Sequence, residues 1–203
     1  MHLLVLQHET VEHPGIFRSF LAEDGVTYDA VELQLGQDLP SLDGYDGLWV
    51  MGGPQDVWQE DAFPWLKSEK AFIRAAVVDR GLPYLGLCLG HQLLAEALGG
   101  TVGPAATPEI GVMPVMTEGR TLFAGLPPSI DALQWHGAEV TEMPRGATCL
   151  ASSPACAVQA MSWGSKAFAA QFHLEVEADT VANWAAIPTY AAIDGAHIAH
   201  NRV

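Results

Sequence analysis

Apolar residues fall in short runs separated by helical patterns and glycine-rich turns. Leu3 to Leu6 has the pattern of a buried strand, and a polar loop leads from it to a helix-like stretch from Ile16 to Glu23 that stops at Gly25. A second strand is predicted from Thr27 to Leu33. After a turn-rich segment from Gly36 to Gly47, the run Leu48-Trp49-Val50-Met51 ends abruptly at Gly52-Gly53-Pro54, a strand feeding a tight loop. From Pro64 to Arg80 the apolar residues Trp65, Leu66, Phe72, Ile73, Ala76 and Val77 recur at helical spacing, with Pro64 suited to a first turn and Gly81 to the stop. Leu82 to Leu87 is a further apolar strand. Cys88 follows it, and a helix is predicted from Gly90 to Leu98, closed by Gly99-Gly100.

Strands alternating with helices in this way predict an α/β fold whose mostly parallel sheet is covered on both faces. From Val112 onward the texture changes. Short strand patterns at Val112–Met116, Ile130–Trp135, Thr148–Ser152, Ala157–Ser162 and Ala167–Phe172 predict hairpins added to the sheet, and Asp179–Trp184 reads as a final helix. The sequence contains no internal repeat and no low-complexity tract.

Composition narrows the function classes. A length of 203 residues fits one domain over residues 1–203. With 9 Lys+Arg against 24 Asp+Glu, the formal net charge of -15 repels phosphate backbones and anionic headgroups, so nucleic acid and membrane surfaces are not expected partners. Charged residues are only 16% of the chain, which leaves apolar surface for a partner subunit or a homo-oligomer. No apolar stretch approaches the roughly 20 residues of a membrane helix, and the opening MHLLVLQHE lacks the flanks of a signal peptide, so a soluble, cytoplasmic protein is expected. Cys88, Cys149 and Cys156 form neither an even framework nor a CxxC pair, which suggests no disulfide scaffold and no structural zinc.

Cys88 stands where a buried strand meets a helix, with Gly86 and Gly90 two residues to either side. A sharp strand-to-helix turn holds its central residue in strained backbone geometry and displays the side chain, and small neighbours make that possible. The helix N-terminus beside the sulfur favours thiolate over thiol. Cys149 and Cys156 have no such setting and read as small buried hydrophobes. A thiol nucleophile needs a base held in one tautomer by a third group. AAQFHLEVE supplies both: His173 and Glu175 lie two apart at a predicted strand end, where a period of 2 puts their side chains on one face. His136 also sits at a predicted strand end, but no carboxylate lies two residues away, so it ranks second as base.

GLCLGHQLLAEALGG together with the later QFHLEVE resembles the class I glutamine amidotransferases, whose triad runs Cys-His-Glu in that chain order. MGGP before the cysteine, PEIG at Pro108–Gly111, QWHGAEV at Gln134–Val140, VQAMSWG at Val158–Gly164 and QHETVEHPG near the start resemble free-standing members similar to the glutaminase domain of GMP synthase. The resemblance implies a flavodoxin-like three-layer α/β/α sandwich. It also implies a glutaminase in which Cys88, His173 and Glu175 form the triad and a γ-glutamyl thioester the intermediate. Two positions depart from the pattern: Leu174 stands where the family usually has Pro, and Ala138 where the GMP synthase pattern has Asp.

Attack on a carboxamide builds charge on oxygen, and the Gly52-Gly53 loop and the Leu89 N–H are the natural backbone donors. The resemblance assigns that oxyanion role to Gly53 and Leu89. Gln92, one helical turn beyond Cys88, faces the same mouth and can bind the α-amino acid end of glutamine; by resemblance Gly52 and the backbone of Trp135, Gly137 and Ala138 line that mouth as well. His8, Glu9, Glu12 and His13 match no fixed zinc or calcium spacing and read as a solvated loop, and His197 and His200 carry no more weight. No phosphate-binding Gly-Lys-Ser/Thr loop is present, so neither a metal nor a cofactor is expected and an ATP-dependent synthetase would be a separate partner chain. Two readings stay open beside glutamine hydrolysis: a γ-glutamyl peptidase acting on glutathione-like substrates, and a non-catalytic binding or regulatory subunit.

Overall fold

Nine strands form one mixed sheet with helices on both faces. The structure is a computed structural model that describes residues 1–188 and Tyr190; His197 and His200 lie outside the described residues. In chain order the elements are β1 (His2–Gln7), α1 (Phe17–Glu23), β2 (Thr27–Glu32), β3 (Gly47–Val50), α2 (Trp65–Arg74), β4 (Tyr84–Leu87) and α3 (Leu89–Ala97). They are followed by β5 (Thr101–Thr117), β6 (Ser129–Glu142), β7 (Ala147–Ser152), β8 (Ala160–Trp163), β9 (Ala167–Ala170) and α4 (Thr180–Ala185).

The sheet order is β2-β1-β3-β4-β9-β8-β7-β5-β6. From β2 through β9 neighbours are parallel, and from β9 outward they are antiparallel. The predicted parallel sheet with added hairpins is therefore the architecture observed. Alternate residues of the central strands feed two cores, as a sheet covered on both faces requires. Leu4, Leu6, Leu48 and Val50 pack with Leu66, Ile73, Leu93 and Leu94 of α2 and α3. On the other face Val5, Met51 and Leu87 pack with Phe17, Phe123 and Phe172. Among the described residues no helix is long and apolar enough to cross a membrane.

Several boundaries differ from the sequence reading. The helix predicted to Arg80 is regular only to Arg74 and then closes through a wider π turn, Ala75–Asp79, in which the Arg80 N–H reaches Ala75 O at 3.0 Å. The short strands read at Val112–Met116 and Ile130–Trp135 are the middles of β5 and β6, which pair over most of their length with a bulge between Pro104 and Glu109. Their outer stretches are rich in Gly, Pro and Glu, so the hydrophobic alternation that marks a half-buried strand is missing there. The strand read at Ala167–Phe172 leaves the ladder after Ala170.

Candidate active site

β4 ends at Leu87, and the chain turns into α3 through Cys88, whose φ of 50° and ψ of -104° lie outside the regions a side chain ordinarily occupies. Such a conformation costs on the order of 1–3 kcal/mol and persists only where the surroundings enforce it. Here the Cys88 N–H is held by Ala170 O at 2.8 Å, and α3 lies against β3 with the Gly90 N–H on Met51 O at 3.2 Å. Gly90 is required by that approach, since a Cβ there would stand 2.1 Å from Val50 O.

The Cys88 sulfur lies 3.9 Å from Trp135 O and 3.6 Å from the side-chain nitrogen of Gln171. His173 and Glu175 converge beside it. The alternation argument for that pair is corrected by the structure: both residues lie beyond β9, in a loop tied back by the His173 N–H on Leu133 O at 2.9 Å. The two side chains meet because the loop turns. His173 Nδ1 is 2.7 Å from Glu175 Oε1, and the Leu174 N–H donates to Glu175 Oε2 at 2.8 Å, a bond that proline at this position could not make. Burial disfavours a charged ring, but the Glu175 carboxylate and then Cys88, by charge and hydrogen bond, outweigh it and hold the His173 pKa well above its ordinary value. Glu175 is anchored from the N-terminal loop: the Ile16 N–H binds Glu175 O at 2.9 Å, and Gly15, at φ +52°, passes so close that a Cβ there would overlap that carbonyl.

A cavity of about 40 Å³ opens beside the sulfur, lined among others by Gly53, Cys88, Leu89, Gln92, Trp135, Gly137, Ala138 and Tyr190. It has room for only a few water molecules. As the first residue of α3, Leu89 carries an N–H without an intrahelical acceptor. Gln92 is buried and donates to Ala138 O at 3.3 Å and to Gln171 Oε1 at 3.1 Å, so it joins the helix to two walls of the cavity. Gly52 does not line the cavity. It sits behind it, where a Cβ would strike Glu12 Oε2 at 2.1 Å and His173 Cε1 at 3.3 Å.

The loop read as solvated is partly core, which corrects that reading. His8 is fully buried, donating from Nδ1 to Gly52 O at 2.8 Å and pairing through Nε2 with the buried Glu69 at 3.0 Å. Burial opposes its charge, yet Glu69 raises the His8 pKa overall. The pair props the Gly52-Gly53 loop from below. Glu12 is 2% exposed, and burial pushes its carboxyl pKa up to about 7 even though His173 pulls the other way. Its Oε1 accepts the Tyr190 hydroxyl. Trp184 meets the His173 ring edge-on at 4.4 Å, and with Trp135 and Tyr190 it makes an aromatic cover over the triad. Gln171, Glu12, Trp184 and Tyr190 escape a reading of the sequence because none belongs to a motif with fixed spacing; only the QF preceding His173 lies next to a recognisable feature.

Comparison with known proteins agrees with this geometry. A family model described as glutamine amidotransferase class-I matches residues 19–183. The chain is 37% identical over 151 residues to the glutamine-hydrolysing subunit of GMP synthase from Sulfolobus acidocaldarius, covering 73% of this chain and 77% of that one. It is 31% identical over 189 residues to a glutamine amidotransferase-like protein of Salmonella typhimurium, covering 89% and 77%. The crystal structure of a glutamine amidotransferase from Thermotoga maritima superposes with a TM-score of 0.86 at 28% identity, covering 99% of this chain and 86% of that one.

Proposed function

Because the chain belongs to the class I glutamine amidotransferase family, we propose that it releases ammonia from the side-chain amide of glutamine, with Cys88 as nucleophile, His173 as proton carrier and Glu175 as the group that orients it. The observation that carries this reading is the 2.7 Å contact between His173 and Glu175 beside a cysteine held at a strained strand-to-helix turn.

With Nδ1 held by Glu175, Nε2 is the nitrogen left to exchange a proton with sulfur. The Cys88 thiolate attacks the carboxamide carbon, and the negative charge that develops on oxygen is met by the N–H groups of Gly53 and Leu89, each worth about 3 kcal/mol of barrier. The His173 imidazolium, stabilised by Glu175, gives its proton to the departing nitrogen. The C–N bond breaks, ammonia leaves, and a γ-glutamyl thioester remains. Water then adds to the thioester with His173 as base, and the C–S bond breaks to give glutamate and free thiolate. Gln92 and the backbone of Trp135, Gly137 and Ala138 bind the α-amino acid end. Gly52 contributes by leaving room for Glu12 and His173. An ATP-dependent synthetase on a separate chain would consume the ammonia, a reading supported by the relative that is one subunit of a GMP synthase.

Incubation with a glutamine-like alkylating agent followed by mass spectrometry tests the assignment. Wild type gains one label at Cys88 and Cys88→Ser gains none; equal labelling of the two proteins overturns it. Release of ammonia from glutamine, compared with release of cysteinyl-glycine from glutathione, fixes the substrate.

A further inference from the structure

A second cluster of reactive side chains lies behind the cavity wall. The bulge between Pro104 and Glu109 in β5 sets Glu109 directly opposite His136 of β6. The loop from Ser153 to Gln159 folds over them, closed by the Ser153 N–H on Cys156 O at 2.8 Å and by the Cys156 N–H on Ser153 Oγ at 3.0 Å. Glu109, His136 and Cys156 are each buried, and one donor atom from each falls within 4.8 Å of the others. Glu139 stands close enough for its carboxylate to act on the Cys156 thiol.

The hydrogen bonds of His136 give the cluster its meaning. Its Nδ1 lies 3.0 Å from Ala138 O, and a carbonyl oxygen can only accept, so Nδ1 carries the proton and Nε2 of the neutral ring presents a lone pair. That lone pair faces Glu109 Oε2 at 3.2 Å without the alignment of a hydrogen bond, and Nε2 has no hydrogen-bond partner. Two lone-pair donors face each other in a dry pocket, and something positive belongs between them. Two ligand atoms about 2.0–2.1 Å from a tetrahedral zinc ion stand roughly 3.3 Å apart, close to the spacing found. A backbone carbonyl on the far nitrogen is the usual partner of a metal-bound histidine.

We propose that Glu109, His136 and Cys156 form a binding site for a borderline transition-metal dication such as Zn²⁺, with Glu139 available as a fourth ligand. The mix of imidazole, thiolate and carboxylate selects that class over Mg²⁺ or Ca²⁺. Binding replaces the Cys156 S–H bond by a sulfur–metal bond, and the proton leaves to solvent. Burial pushes the Cys156 thiol up to about 12, so the metal's charge is what makes the thiolate possible. His136 lies between Trp135 and Gly137 on the cavity wall, so an ion held there would fix the strand that lines the cavity beside Cys88. The proposal does not depend on the reaction assigned to Cys88.

Metal-free protein titrated with Zn²⁺ against a chromophoric chelator should take up one ion per chain and release about one proton at pH 7. Co²⁺ should give a thiolate-to-metal charge-transfer band that survives Cys88→Ser and disappears in Cys156→Ser. Glu109→Gln, checked for folding by circular dichroism, should weaken Zn²⁺ binding roughly tenfold or more and keeps the test alive if the cysteine variant fails to fold. Absence of stoichiometric binding, a band that persists in Cys156→Ser or vanishes in Cys88→Ser, or unchanged affinity in Glu109→Gln overturns the proposal.

Discussion

Replacing Gly90 by alanine sets two effects of opposite sign against each other. Gly90 is the second residue of α3, and in an exposed helix the exchange stabilises by about 1 kcal/mol. In this protein the new methyl would lie 2.1 Å from Val50 O and 2.8 Å from Val50 C, whereas ordinary contact starts at 3.4 Å. The obstacle is strand backbone, so β3 and the start of α3 must part by about 1.3 Å, which also strains the Gly90 N–H bond to Met51 O. Overpacking against backbone costs about 3 kcal/mol or more, which exceeds the propensity gain. A net loss of about 2–3 kcal/mol in a chain of this length lowers Tm by roughly 4–12 °C. The same shift moves Cys88 and Leu89, and a displacement of about 1 Å at reacting groups costs on the order of 10² in rate. Differential scanning calorimetry and ammonia release from glutamine read the two effects, with Gly103→Ala as control because a Cβ there meets only Thr141 Cγ2 at 3.4 Å. A Gly90→Ala protein as stable as wild type, or a control equally damaged, would refute the packing argument.

Three further expectations rest on the triad and its surroundings. Glu175→Gln removes the charge that holds up the His173 pKa, so the imidazole titration followed by NMR should move to lower pH while kcat falls by about 10²–10⁴; an unmoved titration contradicts the pairing. Burial raises the Glu12 pKa from 4.5 in the unfolded chain to about 7 in the fold, so the fold binds the proton more tightly and stability is lost as pH rises through that window. Glu12→Gln should therefore gain stability over wild type at pH 8, by up to about 3 kcal/mol, and lose that advantage near pH 5; a gap independent of pH counts against it. Leu174→Pro removes the N–H that binds Glu175 Oε2, a charge-assisted bond worth about 1.5–3 kcal/mol, so Tm and kcat should both drop; a variant equal to wild type in both would show that the bond is dispensable.

Much of this molecule is written locally. The alternation of apolar runs and helical patterns is a property of neighbouring residues, which is why β1 to β4, α3 and the turn at Cys88 could be placed from the chain alone. The G-x-C-x-G turn carries its own backbone constraint and so announced its nucleophile, and the H-x-E pair was found as a pair. Its geometry was not legible: His173 and Glu175 meet through a loop beyond β9, held by Leu133 and by the N-terminal loop at Ile16. No period in the sequence encodes those two distant anchors. The roles of His8, Glu12, Gln171, Trp184 and Tyr190 were equally hidden. A histidine or carboxylate looks the same in a sequence whether it faces water or is sealed against another chain segment. Burial decides between a solvated loop and a buried ion pair, and burial is a sum over contacts from β1, β3, α2 and the C-terminal segment. The sequence thus determined the order of elements and the identity of the nucleophile, because both depend on short-range sterics and periodicity. The tertiary structure alone decided which polar groups are cut off from water and which lone pairs face each other, because those depend on residues that meet only when the sheet closes.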